Sequence, residues 1–441
     1  MFGTSGVRGP VGETVTADLA LSVGRAVGTD GADRVLIGRD ARDSGHFLAD
    51  AVAAGLTECG VDVVDLGRVA TPTLARSIAR LDADAGVVIT ASHNPAPDNG
   101  IKLWTPSGQA FDTERRRRIS DIIEREAYEF AAWDESGGRQ RDSTATDAHE
   151  ATLVDAVDHE AIESLELVVD VGNGVGGVTA SALGALGATV TTLNAQPDGS
   201  FPGRPSEPTA ETLTALCAQV GNSDADLGIA HDGDADRMMA VDETGTFVPK
   251  DVLLALFAQR AVRSAGGGTV AAPVDTSRCV DDVVTEAGGE MVRTKVGDVF
   301  VAEAAAEPSA VFGGEPSGAW IWPDETLCPD GPLAACKLAA LVGTHGSLAE
   351  QADSIDTYPL VRENIEVDDK AAVMERVAED VQAAFEHVKT IDGVRAEADE
   401  GWVLIRASGT QPLVRVTAEA RTESAAKRLR TDAVDRVDAA R

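Results

Sequence analysis

Three carboxylates stand at alternate positions in Asp232-Gly233-Asp234-Ala235-Asp236, and Arg237 follows them directly. If the loop is extended all three point the same way, and they cannot all stay ionised cheaply without a cation between them. Hard oxygen donors select Mg²⁺ or Ca²⁺. A calcium EF-hand is the obvious rival, since Asp232, Asp234, Asp236 and Glu243 fall at its positions 1, 3, 5 and 12. It fails at position 6, where Arg237 replaces the required glycine. The flanks Leu227-Gly228-Ile229-Ala230 and Met238-Met239-Ala240-Val241 also read as strands rather than helices. The plain alternative is an acidic surface turn; magnesium acting on phosphate is the preferred reading.

A hydroxyl supplies the second chemical element. Ser92 lies in Thr90-Ala91-Ser92-His93-Asn94-Pro95, directly after the apolar run Gly86-Val87-Val88-Ile89. The run has a buried strand's composition and Asn-Pro marks a turn, so Ser92 is expected exposed on a loop at a strand's carboxyl end. In open α/β sheets ligands bind there, although many serines in such turns only cap or bend the chain. Two later loops add donors: Gly313-Gly314-Glu315-Pro316-Ser317-Gly318 suits vicinal sugar hydroxyls, and Arg406-Ala407-Ser408-Gly409-Thr410-Gln411-Pro412 with Arg415 suits a phosphate. A similar glycine-rich set, Gly3-Thr4-Ser5-Gly6-Val7-Arg8-Gly9, opens the chain.

The elements that must position these loops repeat. Arg34–Asp40 to Cys59–Asp65, Leu167–Gly174 to Leu186–Thr191, and Thr269–Asp275 to Gly288–Val292 each read as strand, polar turn, helix ended by glycine, then strand. That is a βαβ unit of parallel sheet, three times over at intervals too wide for a solenoid. From Thr357 the pattern changes to β-rich runs alternating with helical stretches around 370–386 and 422–438, which fits a small α+β domain with an antiparallel sheet. The expected domains are 1–145, 146–247, 248–357 and 358–441. The polar run from Ser136 to Ser143 reads as a loop or linker, and Arg115 to Arg118 as a solvated helix face rather than a nucleic-acid site.

Composition narrows the classes. The 441 residues are 43% hydrophobic, enough for several cores, and carry 73 acidic against 38 basic residues, a net charge of −35. Such a surface repels nucleic acid and anionic membranes. Self-repulsion of that size is screened best in concentrated salt, where the Debye length falls to about 3 Å at 1 M, so a salt-loving cytoplasm is expected. The five scattered cysteines lack metal or redox spacing and are expected as reduced thiols. No run approaches the ~20 apolar residues of a membrane span, and Met1-Phe2-Gly3-Thr4 does not resemble a signal peptide.

The four loops occur in one order: serine, carboxylate triplet, Gly-Glu-x-Ser-Gly, then Arg-x-Ser-Gly-Thr. From Gly3 to Arg415 that set resembles the α-D-phosphohexomutase family, the phosphoglucomutases, phosphomannomutases and phosphoglucosamine mutases. The resemblance implies three related α/β domains with mixed or parallel sheets and a C-terminal α+β domain like the TATA-binding protein, around a central cleft. It implies that Ser92 carries a phosphoryl group, gives it to a sugar monophosphate, and recovers the other group from the bisphosphorylated sugar. Asp232, Asp234 and Asp236 would then hold Mg²⁺ together with an oxygen of phosphorylated Ser92, and Arg237 and Arg8 would share the remaining charge. Lys102, in Asn99-Gly100-Ile101-Lys102, matches the family lysine as general base, ahead of the other candidate, His93. Lys295 matches a loop facing substrate, Glu315 and Ser317 would grip sugar hydroxyls, and Arg406, Ser408, Gly409, Thr410 and Arg415 would hold the non-reacting phosphate. The cofactors implied are Mg²⁺ and a hexose 1,6-bisphosphate as activator and intermediate; monomer and homodimer both stay open.

Many glucose- or mannose-active members have Met inside the Gly-Glu-x-Ser-Gly loop and His after it, where this chain has Pro316 and Ala319. Pro316 resembles archaeal phosphoglucosamine mutases, so glucosamine phosphate is the preferred substrate and a glucose/mannose mutase the alternative. More remote are a magnesium-dependent sugar phosphatase and a non-catalytic sugar-phosphate sensor. The charge makes a separate prediction: thermal midpoint and activity rise with KCl toward molar concentrations, and a midpoint that falls steadily as KCl is added would refute the salt adaptation.

Overall fold

The computed structural model describes residues 3, 6–408 and 412–441. By packing, the chain forms two compact units: Met1–Leu253 with Ser317–Asp353, and Leu254–Pro316 with Ser354–Arg441.

The first unit opens with β1 (Val7–Pro10), α1 (Ala17–Thr29), β2 (Arg34–Arg39), α2 (Gly45–Glu58), β3 (Asp62–Arg68), α3 (Thr71–Arg80), β4 (Ala85–Ile89), β5 (Asp98–Trp104), α4 (Thr113–Glu124), β6 (Arg139–Arg141) and α5 (Ala145–Asp155). Its strands make one sheet in the order β1-β5-β4-β2-β3-β6. The three central strands are parallel, and β5 runs back antiparallel to both β4 and β1. Every residue of β4 is buried, as a strand covered on both faces must be. A second sheet follows from β7 (Glu166–Asp170), α6 (Gly177–Ala185), β8 (Thr189–Leu193), α7 (Thr214–Gly221), β9 (Leu227–His231) and β10 (Met238–Asp242), ordered β10-β9-β7-β8.

After α8 (Lys250–Ala265) the second unit contains β11 (Thr269–Pro273), α9 (Arg278–Glu286), β12 (Glu290–Thr294), α10 (Asp298–Ala305) and β13 (Ala310–Glu315). Here β11 pairs in parallel with both β12 and β13. The chain returns to the first unit for β14 (Ala319–Ile321), α11 (Gly331–His345) and α12 (Leu348–Asp353). It ends in the second with β15 (Leu360–Glu366), α13 (Lys370–Ala384), β16 (His387–Lys389), β17 (Val394–Ala398), β18 (Gly401–Ala407), β19 (Leu413–Ala420) and α14 (Glu423–Ala439). That last sheet is antiparallel throughout, and Val373, Val377 and Val437 of its helices pack on Val403, Ile405 and Val416.

The three βαβ units and the α+β tail therefore form as the sequence implies. Three local readings are corrected. The run from Ser136 to Ser143 is not all loop, because Arg139–Arg141 adds β6 beside β3. Arg8, which the glycine-rich opening set groups with the donor loops, lies on a strand, opposite Gly100 of β5. The tail has five strands, two more than its β-rich runs revealed. No helix among the described residues is long and apolar enough to cross a membrane.

α1 and α2 touch backbone to backbone. A Cβ on Gly24 would lie 2.3 Å from the Val52 carbonyl oxygen, and one on Gly55 would lie 2.3 Å from that of Leu21. Alanine ordinarily gains about 0.5–1 kcal/mol over glycine inside a helix, whereas overpacking costs about 1–3 kcal/mol. Gly55→Ala is thus expected to lower the thermal midpoint, while Gly184→Ala in α6, whose Cβ would meet nothing within 4 Å, is expected to leave or raise it. Calorimetry of the two variants checks the sign.

Candidate active site

β4 delivers Ser92 three residues past its carboxyl end, but the serine is not exposed: it is 0% accessible. The neighbouring loop explains this. Ser92 Oγ donates to Asp232 Oδ2 at 2.6 Å and lies 3.4 Å from Asp236 Oδ1. Its backbone has a φ of +53°, the left-handed region that side chains seldom occupy. Neighbours on both sides fix that conformation. The Thr90 hydroxyl accepts from the Ser92 N–H at 2.8 Å, and the Ser92 carbonyl accepts from Arg42 Nη2 at 3.0 Å and from Ser206 Oγ at 2.9 Å.

The carboxylate loop joins β9 to β10 through a turn rather than an extended segment, with Ala235 at φ +56°. Asp232, Asp234 and Asp236 nevertheless converge, all buried, with one ligand oxygen of each within 4.8 Å of the others. The Asp234 carboxylate accepts from the Thr71 hydroxyl at 2.6 Å, and the Thr71 N–H at the start of α3 donates to the Asp234 main chain at 2.9 Å. Lys102 on β5, 4% exposed, bridges Asp234 at 2.9 Å and Asp236 at 2.6 Å. Arg237 donates its N–H to Asp232 and lies 4.0 Å from Asp236. Glu243 instead accepts from Ser347 and from the Ala349 N–H at α12, so the calcium-loop alternative loses its last ligand.

Burial, then Asp236 and Asp234, push the Asp232 carboxyl well above the usual range. Burial acts the same way on Asp234, but Lys102 and Thr71 outweigh it and hold that carboxyl well below the usual range. Asp234 Oδ1 is buried without a hydrogen-bond partner. A hard divalent cation fits such a donor set, since it would engage the orphaned oxygen and let all three carboxylates ionise. His93 differs: burial, then Arg237 and Arg8, lower its pKa to about 2, and its buried Nδ1 has no partner.

In the second unit, Glu315 ends β13, buried, and accepts from the Gly297 N–H at 2.9 Å. Two residues before Gly297, Lys295 lies 5.4 Å from the centre of the Phe300 ring. Asp392 accepts from the Val296 N–H and from Arg406 Nη1, so this loop and Arg406 are brought together. Arg406 and Arg415 sit opposite each other on β18 and β19, and the Ser408 carbonyl accepts from Lys370 Nζ at 2.7 Å. Gly409 and Thr410 lie outside the described residues. Ser317 belongs to the first unit, where the neighbouring Gly318 carbonyl accepts from the Met238 N–H and Ala319 bridges Arg237.

The phosphoglucomutase/phosphomannomutase family matches four segments: α/β/α domain I over 1–130, domain II over 147–245, domain III over 249–358, and the C-terminal domain over 363–436. The chain belongs to this family. A relative from Methanopyrus kandleri named probable phosphoglucosamine mutase is 49% identical over 439 residues, spanning 98% of this chain and 97% of its own. One of the same name from Pyrococcus abyssi is 43% identical over 434 residues, spanning 97% and 95%. A crystal structure of a family protein from Burkholderia thailandensis superposes with a TM-score of 0.89 at 30% identity, covering 100% of this chain and 98% of that one. The N-acetylphosphoglucosamine mutase of Aspergillus fumigatus, solved with GlcNAc-6P and magnesium, shares the fold at 18% identity and a TM-score of 0.60, over 100% and 95%.

Sequence reasoning missed the support of this candidate site. Arg42, 1% exposed, donates to the carbonyls of Ser92, Asn94, Pro95 and Asp98 and pairs with Asp40 at 3.0 Å. Asp40 in turn accepts from the Thr90 hydroxyl. The signal was present as Asp40-x-Arg42 at a strand's carboxyl end. Removing one partner of a buried pair costs about 3–5 kcal/mol, and lysine cannot reproduce the guanidinium fork. Arg42→Lys is expected to keep the fold in stabilising salt while lowering kcat at least about tenfold, with KM for the sugar phosphate little changed. Steady-state kinetics of the variant make the test.

Proposed function

We propose that this phosphohexomutase converts glucosamine 6-phosphate to glucosamine 1-phosphate through a phosphorylated Ser92 and a bisphosphorylated sugar. The observation that carries it is the buried Ser92 hydroxyl held 2.6 Å from a carboxylate triad that Lys102 bridges. The glucosamine assignment draws on relatives 41–49% identical over nearly the whole chain that bear that name. The bond between Ser92 Oγ and phosphorus breaks as a sugar hydroxyl oxygen bonds to the phosphorus, and Ser92 later recovers the other phosphoryl group. Lys102, as amine, takes the attacking hydroxyl's proton; His93, with a pKa of about 2, is too weak a base for that work. Asp232, Asp234 and Asp236 hold Mg²⁺, which when bound neutralises charge on the phosphoryl oxygens as a Lewis acid. Arg8 and Arg237 take up further negative charge.

Lys295, Glu315 and Ser317 contact the sugar, and Arg406, Ser408, Gly409, Thr410 and Arg415 the non-reacting phosphate. The four domains are read as 1–145, 146–247, 248–357 and 358–441, with one loop of the set in each. The −35 charge is read as adaptation to the cytoplasm of a halophilic archaeon.

The deciding assay supplies glucosamine 6-phosphate, glucose 1-phosphate or mannose 1-phosphate with Mg²⁺ and a trace of the matching bisphosphate, in molar KCl. Fastest isomerisation is expected with glucosamine phosphate; a faster glucose or mannose reaction would reassign the sugar. Free phosphate without isomer would indicate a phosphatase, and no turnover a sensor. Ser92→Ala is expected to abolish isomerisation with the fold intact, and chelation to abolish it until Mg²⁺ is restored.

A further inference from the structure

The carboxyl edge of the first sheet carries three cations that the reaction above leaves unused. Arg39 and Arg68 stand opposite each other in the β2–β3 register, so their side chains leave the same face. Arg141, at the end of β6, places Nη2 3.4 Å from where a Cβ on Gly67 would stand. None of the three has an ion-pair partner among the described residues; Arg39 makes one long hydrogen bond, 3.4 Å, to the Asp40 main chain. The nearest carboxylates are committed elsewhere. Asp65 accepts from Arg139 at 2.7 Å and from the Gly67 N–H at 2.8 Å, and Asp40 pairs with Arg42 and Thr90. Burial, then Arg68, lower the Arg39 pKa, as expected where like charges crowd together.

In a chain of charge −35, three adjacent arginines with no ion-pair partner among the described residues stand out, since Asp65 and Asp40 only partly offset the charge around Arg39. Room for an anion exists beside Arg68. Arg68 forms part of the wall of a cavity of about 320 Å³, bordered by the hydroxyl residues Thr73, Thr146 and Ser181 and by Gly174 and Gly177 at the start of α6. That volume is at the small end for a metabolite pocket. No side chain caps α6, and a Cβ on Gly177 would meet nothing within 4 Å, so its first turn stays open. Gly174 in turn abuts the carboxylate loop, since its Cβ would lie 2.6 Å from the Gly233 carbonyl oxygen.

We propose that Arg39, Arg68 and Arg141 bind the phosphate group of a small phosphorylated metabolite whose organic part enters this cavity, as an anion site distinct from Ser92. Guanidinium forks match phosphate oxygens in pairs, and the hydroxyls beside them suit a polyol. The test titrates inorganic phosphate calorimetrically into the Arg415→Ala protein, which lacks an arginine of the substrate's phosphate anchor, at fixed KCl. One phosphate per chain is expected to bind still, and adding Arg68→Ala with Arg141→Ala to weaken it at least about tenfold. Arg117→Ala with Arg125→Ala, an equal loss of exposed charge, is expected to leave it unchanged. Equal weakening by both pairs, or no phosphate bound to the Arg415→Ala protein, would overturn the proposal. Isomerisation by the Arg68→Ala, Arg141→Ala protein without added phosphate is expected to match the unaltered chain, which keeps this site's failure separate from that of the mutase reading.

Discussion

Three carboxylates are buried within 4.8 Å of one another, and much of the surrounding structure follows from keeping them there. Ionised together in a protein interior, they repel one another strongly enough that one holds its proton unless cations intervene. The fold supplies partial compensation from several directions. The amino end of α3 meets Asp234 through Thr71, β5 brings the ammonium of Lys102, and the Arg237 N–H closes on Asp232. Even so, the Asp232 carboxyl is held well above its usual range and Asp234 Oδ1 has no partner. What remains uncompensated is the electrostatic capacity of the site.

The same crowding accounts for the serine. Gly233 has no room for a Cβ, which would meet Ser206 Oγ and the Ser92 carbonyl at 2.8 Å each, so the two loops touch backbone to backbone. Ser92 meets Asp232 from a left-handed conformation that a free turn would give up. Two buried arginines prevent this. Arg42 gathers four carbonyls of the serine loop, while Arg204 pairs with Asp170 and donates to the carbonyls of His231 and Ser206 beside the carboxylate loop. The clamps meet at one atom, the Ser92 carbonyl oxygen, which Arg42 and Ser206 both approach.

How much of this was legible depended on the range of the interactions. The βαβ units were readable because apolar runs such as Val35-Leu36-Ile37 and Leu167-Val168-Val169 record burial on two faces within a few residues. The carboxylate triplet was readable because its spacing is local. The burial of Ser92 was not, because Asp232 lies 140 residues further along the chain. The turn at Ala235 defeated the extended-loop picture for a related reason: contacts with Gly331 and Thr71, not the loop's own composition, set its path. β6 escaped notice because an edge strand of three exposed residues, Arg139, Gln140 and Arg141, has no apolar signature at all.

The division of labour between cations follows from the same electrostatics. Only 7 of the 38 basic residues are lysine, yet one of them sits 4% exposed between two carboxylates. Where a fixed charge must hold geometry, the chain uses arginine, whose planar fork reaches several acceptors at once, as those of Arg42 and Arg204 do. A group that must exchange a proton cannot be arginine. An ammonium can lose its charge when its surroundings change, and the carboxylates that hold Lys102 are those the metal would occupy. A cation bound at the triad would therefore draw on the same carboxylate oxygens of Asp234 and Asp236 that hold Lys102.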